Sequence, residues 1–219
     1  MPRAESPSSG FTFLELVIVI AIVGMLAGTL ATMAGAQLAA DKTAAVRTDL
    51  EAIGIGLQSH YAENARFPAA LNAVGFYGVN VAPGVGDDLL EDGWAAANTY
   101  YRYATTSNPD TATVWSVGPD GFDSGSINET LRITVHGALA GLPKTRSRLN
   151  VIGGALAQHL AAGRSITGNW TTDRTALGLG AEYATDGFGT TFQLLTTDRV
   201  VRSAGPDRNF ATTADNLTN

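Results

Sequence analysis

The sequence predicts an α+β protein: a long N-terminal α-helix packed on a small antiparallel β-sheet head, with the head duplicated. Three observations lead there. Residues 16–40 form a run of 25 uncharged positions between Glu15 and Asp41. An amphipathic stripe then carries the helix on through residues 41–62. Beyond it, a pattern of helix, Asp-Gly-aromatic turn, strands and Gly-Pro-Asp turn occurs twice.

The apolar run is long enough to span a bilayer, for which roughly 20 residues suffice. Glu15 stands at its start, with apolar residues on both sides, in Phe13-Leu14-Glu15-Leu16-Val17-Ile18. A carboxylate at such depth costs roughly 2.5 kcal/mol or more unless it finds a partner. Three plainer readings compete. A secretory signal peptide cleaved after Ala34-Gly35-Ala36 would need a basic start, which is missing. An unprocessed membrane anchor fits the length. A buried soluble helix fits poorly, because the run is too long and too uncharged. The leader before Phe11 holds one Arg3 and one Glu5 and is neutral, which weakens any orientation signal from positive charge. Pro68 is the first proline after Pro7, so no proline kink is expected in the helix. Gly24 and Gly28 place two small residues on one face, which permits close helix–helix contact.

In the second half of the helix Val46, Leu50, Ile53, Leu57 and Tyr61 recur at spacings of three and four. Asn64 and Pro68 should end it. The repeat follows in register. Arg47, Leu50, Ile53, Gly54, Leu57 and His60 return as Arg146, Leu149, Ile152, Gly153, Leu156 and His159. Asp92-Gly93-Trp94 returns as Asp186-Gly187-Phe188, and Gly118-Pro119-Asp120 as Gly205-Pro206-Asp207. The offset falls from 99 to 94 to 87, so the second copy is shorter by twelve residues. Strands are expected at residues 100–104 and 113–117, and again at 191–195 and 200–203. Residues 130–136 alternate strictly and read as a further strand with no counterpart in the second copy. Residues 137–145, with Gly141 and Pro143, read as a linker.

Composition bounds the rest. A chain of 219 residues with formal charge −6 and no Lys/Arg cluster argues against nucleic acid as the main partner. Cysteine is absent, so no disulfide holds the loops. The three histidines do not converge, and no nucleophile–base pair is visible, so no enzyme activity is expected.

Gly10 followed by Phe-Thr-Phe-Leu-Glu and a long apolar helix resembles the class III leader of type IV pilins and type II secretion pseudopilins. The resemblance implies cleavage by a prepilin peptidase between Gly10 and Phe11, with N-methylation of Phe11. It makes Glu15 the fifth mature residue, paired during assembly with the N-terminal ammonium of a neighbouring subunit. Opposite charges in low dielectric offset each other's burial cost.

The Asp-Gly-aromatic turn, hairpin and Gly-Pro-Asp stretch are similar to the head of the major type II pseudopilin, whose acidic C-terminal loop binds calcium. The matching residues are Asp120, Asp123 and Asn128 in the first copy. In the second they are Asp207, Asn209 and Asp215, with Asn216 in reserve and Arg208 bringing a positive charge into the loop. Calcium takes six to eight oxygens, some from backbone carbonyls; the plain alternative is that these are turn residues in solvent.

The resemblance gives these expected segments: leader 1–10, transmembrane and filament-core helix 11–40, first head 41–136, linker 137–145 and second head 146–219. It implies a structural subunit of a pilus-like or pseudopilus filament, held in the bacterial inner membrane as a precursor and periplasmic or extracellular once assembled. The implied partners are copies of itself, the peptidase and an inner-membrane assembly platform. A minor pilin or tip adhesin with a ligand-binding second head is the alternative.

Overall fold

The computed structural model describes residues 12–81, 89–96, 99–125 and 130–219. The chain divides into two compact units, Met1–Ala44 and Ala45–Asn219. Helix α1 is Phe13–Asn64, 52 residues, ending where Asn64 predicts. In the first unit its side chains from Phe13 to Leu38 all face outward; Met25 is 78% exposed and Ile20 63%. Such a continuous apolar surface is not stable in water. The helix is long and apolar enough to cross a membrane. Its few hydroxyls are satisfied internally: Thr29 donates to the Leu26 carbonyl at 2.9 Å and Thr32 to the Thr29 carbonyl at 2.8 Å. A membrane helix must satisfy its polar groups in this way. A Cβ at Gly24 or Gly28 would meet nothing within 4 Å, so this face is open.

The second unit holds two helix–sheet modules. In the first, strands β1 (Arg102–Thr106), β2 (Thr111–Trp115) and β3 (Arg132–His136) form an antiparallel sheet in sequence order. All five stripe residues of α1, Val46, Leu50, Ile53, Leu57 and Tyr61, are buried. The first four pack with Ala112, Val114, Leu131 and Val135 from the sheet and its edge, and with Phe76 and Leu90 from the loops. Each such aliphatic side chain stabilises the fold by roughly 1.5–3 kcal/mol relative to exposure.

The second module repeats this plan. Helix α2 (Gly137–Ala161) is followed by α3 (Trp170–Ala176), a 3₁₀ turn at Ala181–Tyr183, and strands β4 (Gln193–Leu195), β5 (Val200–Ser203) and β6 (Leu217–Thr218). The sheet order is β4-β5-β6, again antiparallel. Leu149, Ile152 and Leu156 of α2 pack against Trp170, Phe192, Leu194 and Val201.

Three expectations are corrected. The alternating strand β3 does have a counterpart: β6 pairs with β5 as β3 pairs with β2. The equivalent glycines show why both fit. A Cβ on Gly54 would lie 2.5 Å from Ile133 Cδ1 of β3, and one on Gly153 would lie 2.9 Å from Nδ2 of Asn219, next to β6. In each module the third strand or its flank crosses the helix at its glycine. The first hairpin is also displaced by two residues, because residues 107–110 make its turn and Thr106 pairs with Thr111.

Finally, residues 137–145 are helical rather than a linker. Their small residues serve close packing: a Cβ on Gly137 would meet the Tyr61 ring and one on Gly141 the Phe188 ring. Pro143 removes one backbone donor from the helix, while the Thr145 hydroxyl donates to the Gly141 carbonyl at 2.8 Å.

Candidate functional site

The first site is the start of α1. Gly10 and Phe11 lie outside the described residues. Glu15 sits in the first turn and closes a reciprocal cap with Thr12. Its Oε2 accepts from the Thr12 backbone N–H at 2.8 Å and from the Thr12 hydroxyl at 2.9 Å. The Glu15 N–H donates to Thr12 Oγ1 at 3.3 Å. This is the capping box of a Thr-x-x-Glu start, which satisfies two donors that the first helical turn leaves open. The signal is present in Thr12-Phe13-Leu14-Glu15, and sequence reasoning centred on the charge of Glu15 passed over it. The glutamate therefore has a local role within one chain beside the role that the resemblance implies.

The second site is built twice, around a buried aspartate. In the first module Asp92 is 4% exposed. It accepts from the Ser116 hydroxyl at 2.6 Å and the Val117 N–H at 2.8 Å, and from the Trp94 N–H at 3.1 Å. Ser116 Oγ accepts in turn from the Gly118 N–H at 3.0 Å. In the second module Asp186 is 1% exposed. It accepts from the Ser203 hydroxyl at 2.5 Å, the Phe188 N–H at 2.9 Å and the Thr190 N–H at 2.8 Å. Ser203 Oγ accepts from the Gly205 N–H at 3.0 Å. The same aspartate–serine–glycine chain thus ties each Asp-Gly-aromatic turn to the strand leading into each Gly-Pro-Asp turn. Such charge-assisted bonds are stronger than neutral ones. Neither serine was singled out from sequence, although both stand two residues before the repeated glycine.

The tie presents a loop after each Gly-Pro-Asp turn, and the two loops differ. In the first, both carboxylate oxygens of Asp123 are engaged. Oδ2 pairs with Arg102 Nε at 3.1 Å, and Oδ1 accepts from Trp115 Nε1 at 3.0 Å and the Gly125 N–H at 3.1 Å. The Trp115 bond foremost, helped by the Gly125 N–H and Arg102, holds its carboxyl below the ordinary range, against the opposing effect of desolvation. Asp120 accepts from the Phe122 N–H at 3.1 Å. Asn128 lies outside the described residues. A guanidinium already faces Asp123, so the described part of this loop is a poor fit for a metal cation.

The second loop is more open to one. Asp207 Oδ1 accepts from the Asn209 N–H at 2.8 Å, and Asn209 Oδ1 from the Ala211 N–H at 3.0 Å. Asp215 Oδ2 accepts from the Asp207 N–H at 3.3 Å. Asp215 Oδ1 and Asn216 Oδ1 are buried without a hydrogen-bond partner. Two orphaned buried oxygens on adjacent residues are costly, and they are the kind of donor calcium uses. Among the described residues no three carboxylate, imidazole or thiol groups converge. Most of a calcium shell here would therefore come from amide and backbone oxygens.

Arg208 does not enter this loop, contrary to expectation. It holds a left-handed backbone, φ 58°, and turns its side chain outward. Nε donates to the Phe188 carbonyl at 2.9 Å, and Nη2 donates to the Ala65 carbonyl at 2.9 Å and to Asp110 Oδ2 at 2.5 Å. Tyr61 also donates to Asp110 Oδ2, at 2.7 Å. Burial first, and then Asp110, push the Tyr61 phenol well above its ordinary value. Lys144 donates to the carbonyl of Ala62, 82 residues away in sequence and next to Tyr61. Together these groups join the two modules.

Residues 6–31 match the family model described as the prokaryotic N-terminal methylation motif. The N-terminal segment is thus a class III prepilin leader running into an apolar helix, and over these residues the chain is similar to type IV pilins and pseudopilins. No curated protein and no solved structure matches the chain.

Proposed function

We propose that the chain is a structural subunit of a type IV pilus-like or type II secretion pseudopilus filament. The observation that carries this reading is the methylation motif at residues 6–31 continuing into a helix whose apolar surface faces outward from Phe13 to Leu38. Before assembly that surface is covered by lipid, and afterwards by the same helix of neighbouring subunits. Cleavage after Gly10 frees the Phe11 ammonium, and Glu15 of an adjacent subunit neutralises it. The modules of the second unit are two pilin-like heads derived from one duplicated unit; their matching sheet orders and aspartate–serine ties support this. The second head's loop, with Asp207, Asp215 and Asn216, is the better calcium site of the two. There calcium would cross-link the loop through its oxygens, as a disulfide would in a chain that had cysteines.

Assembly tests the reading. Glu15→Ala in cells that make the peptidase and platform should leave the subunit in the membrane and lower its recovery in sheared filaments by tenfold or more. Recovery at the parent level would contradict it.

A further inference from the structure

Arg208 follows Asp207 directly, yet the two side chains serve opposite ends of the molecule's second unit. Asp207 faces its own loop, where its N–H meets Asp215. The guanidinium of Arg208 crosses to the first module and meets Asp110, 98 residues away in sequence. The backbone between these ends has little freedom. Gly205 (φ 74°) lies so close to the Asp215 carbonyl that a Cβ would sit 2.3 Å from its oxygen. The Arg208 N–H closes the turn on the Gly205 carbonyl at 3.1 Å. Moving Asp215 therefore moves the turn that aims Arg208.

Charge points the same way. The loop holds two carboxylates, Asp207 and Asp215, and its own arginine is turned outward to Asp110. Asp110 is 8% exposed and receives Arg208 and Tyr61 on one oxygen. A buried carboxylate left without its cation is costly, so the junction favours the loop conformation that delivers Arg208. A cation among Asp207, Asp215 and Asn216 favours the same conformation, by drawing together the oxygens that Asp215 and Asn216 leave unpartnered.

We infer that the second-head loop and the Arg208–Asp110 bridge form one device, in which cation occupancy of the loop locks the two heads together. The inference rests on the calcium reading of that loop. Asp110 is then a positioning residue for a cation site in the other head, acting through Arg208. Linkage makes the effect reciprocal: whatever factor the cation contributes to head docking, the bridge contributes to cation affinity.

The full-length chain in detergent micelles allows a direct test, because it contains no cysteine. Thr134→Cys and Thr197→Cys place one spin label on an exposed position of each head. Calcium chloride should narrow the distance distribution measured by pulsed electron resonance. In calorimetric titration of chains without labels, Asp110→Ala and Arg208→Ala should each weaken calcium binding by about fivefold or more. The double variant should be no weaker than either single one, since both remove the same bridge. Asp110→Asn, which preserves the side-chain volume, gives the same reading if the alanine variant folds poorly. Calcium binding that is unchanged by all three single substitutions, with distances unmoved by calcium, would overturn the coupling and leave the calcium site intact. Failure of the parent chain to bind calcium would overturn the site and the coupling together.

Discussion

At the residue scale, Glu15 has an observed role as a cap and a proposed one in assembly, and the two make different demands on its chemistry. As a capping-box acceptor it needs only an oxygen, which glutamine also provides. As the partner of an ammonium it needs a charge. Glu15→Gln therefore separates the two. If ion pairing governs assembly, the glutamine variant should fail in filament recovery as badly as alanine, while helicity in detergent stays at the parent level. Parent-level assembly with glutamine would show that the cap alone accounts for the residue. Arg208 teaches a related lesson. Its position in the chain predicted a charge inside the loop, but side-chain direction is set by the left-handed backbone at that residue, and sequence does not display it.

At the scale of elements, legibility followed locality. The stripe from Val46 to Tyr61 was readable because a period of 3.6 is carried by neighbours in sequence, and all five residues are buried as expected. Strand β6 was not readable, since two residues cannot display alternation. The helical start of α2 was hidden by Gly137, Gly141 and Pro143. Breakers in isolation, the two glycines are contact points for the Tyr61 and Phe188 rings. The candidate calcium residues were readable only as a pattern of oxygens; their distinction came from Arg102 and Trp115, which are brought to Asp123 by sheet pairing.

The aspartate–serine tie makes a prediction at this scale. Burial holds the Asp186 carboxyl above its ordinary value of 3.8, outweighing its bonds from Ser203, Thr190 and Phe188. A raised native value means the folded state holds the proton more tightly than the unfolded state. The stability associated with this group is then greatest in acid and declines as pH rises from about 4 through the native value. Asp186→Asn removes the titration. Its melting temperature should gain on the parent's as pH rises across that window, whatever constant offset the lost bonds impose. A difference between the two proteins that does not change with pH would contradict this.

At the scale of the whole molecule, the chain combines an apolar helix that cannot remain bare in water with a unit that folds around two separate cores. The first part needs a lipid or protein cover, and in the proposed filament the second would form the outer surface. The two modules keep one plan, yet their loops are held differently, one by an internal arginine and one with oxygens to spare. Under the proposed duplication, one copy is free to acquire a separate role. Processing at Gly10 is read directly by mass spectrometry of the N-terminal peptide from sheared filaments. The chain should begin at Phe11 and carry one added methyl group on its amine. A chain that retains residues 1–10, or one cut beyond the apolar helix, would contradict it.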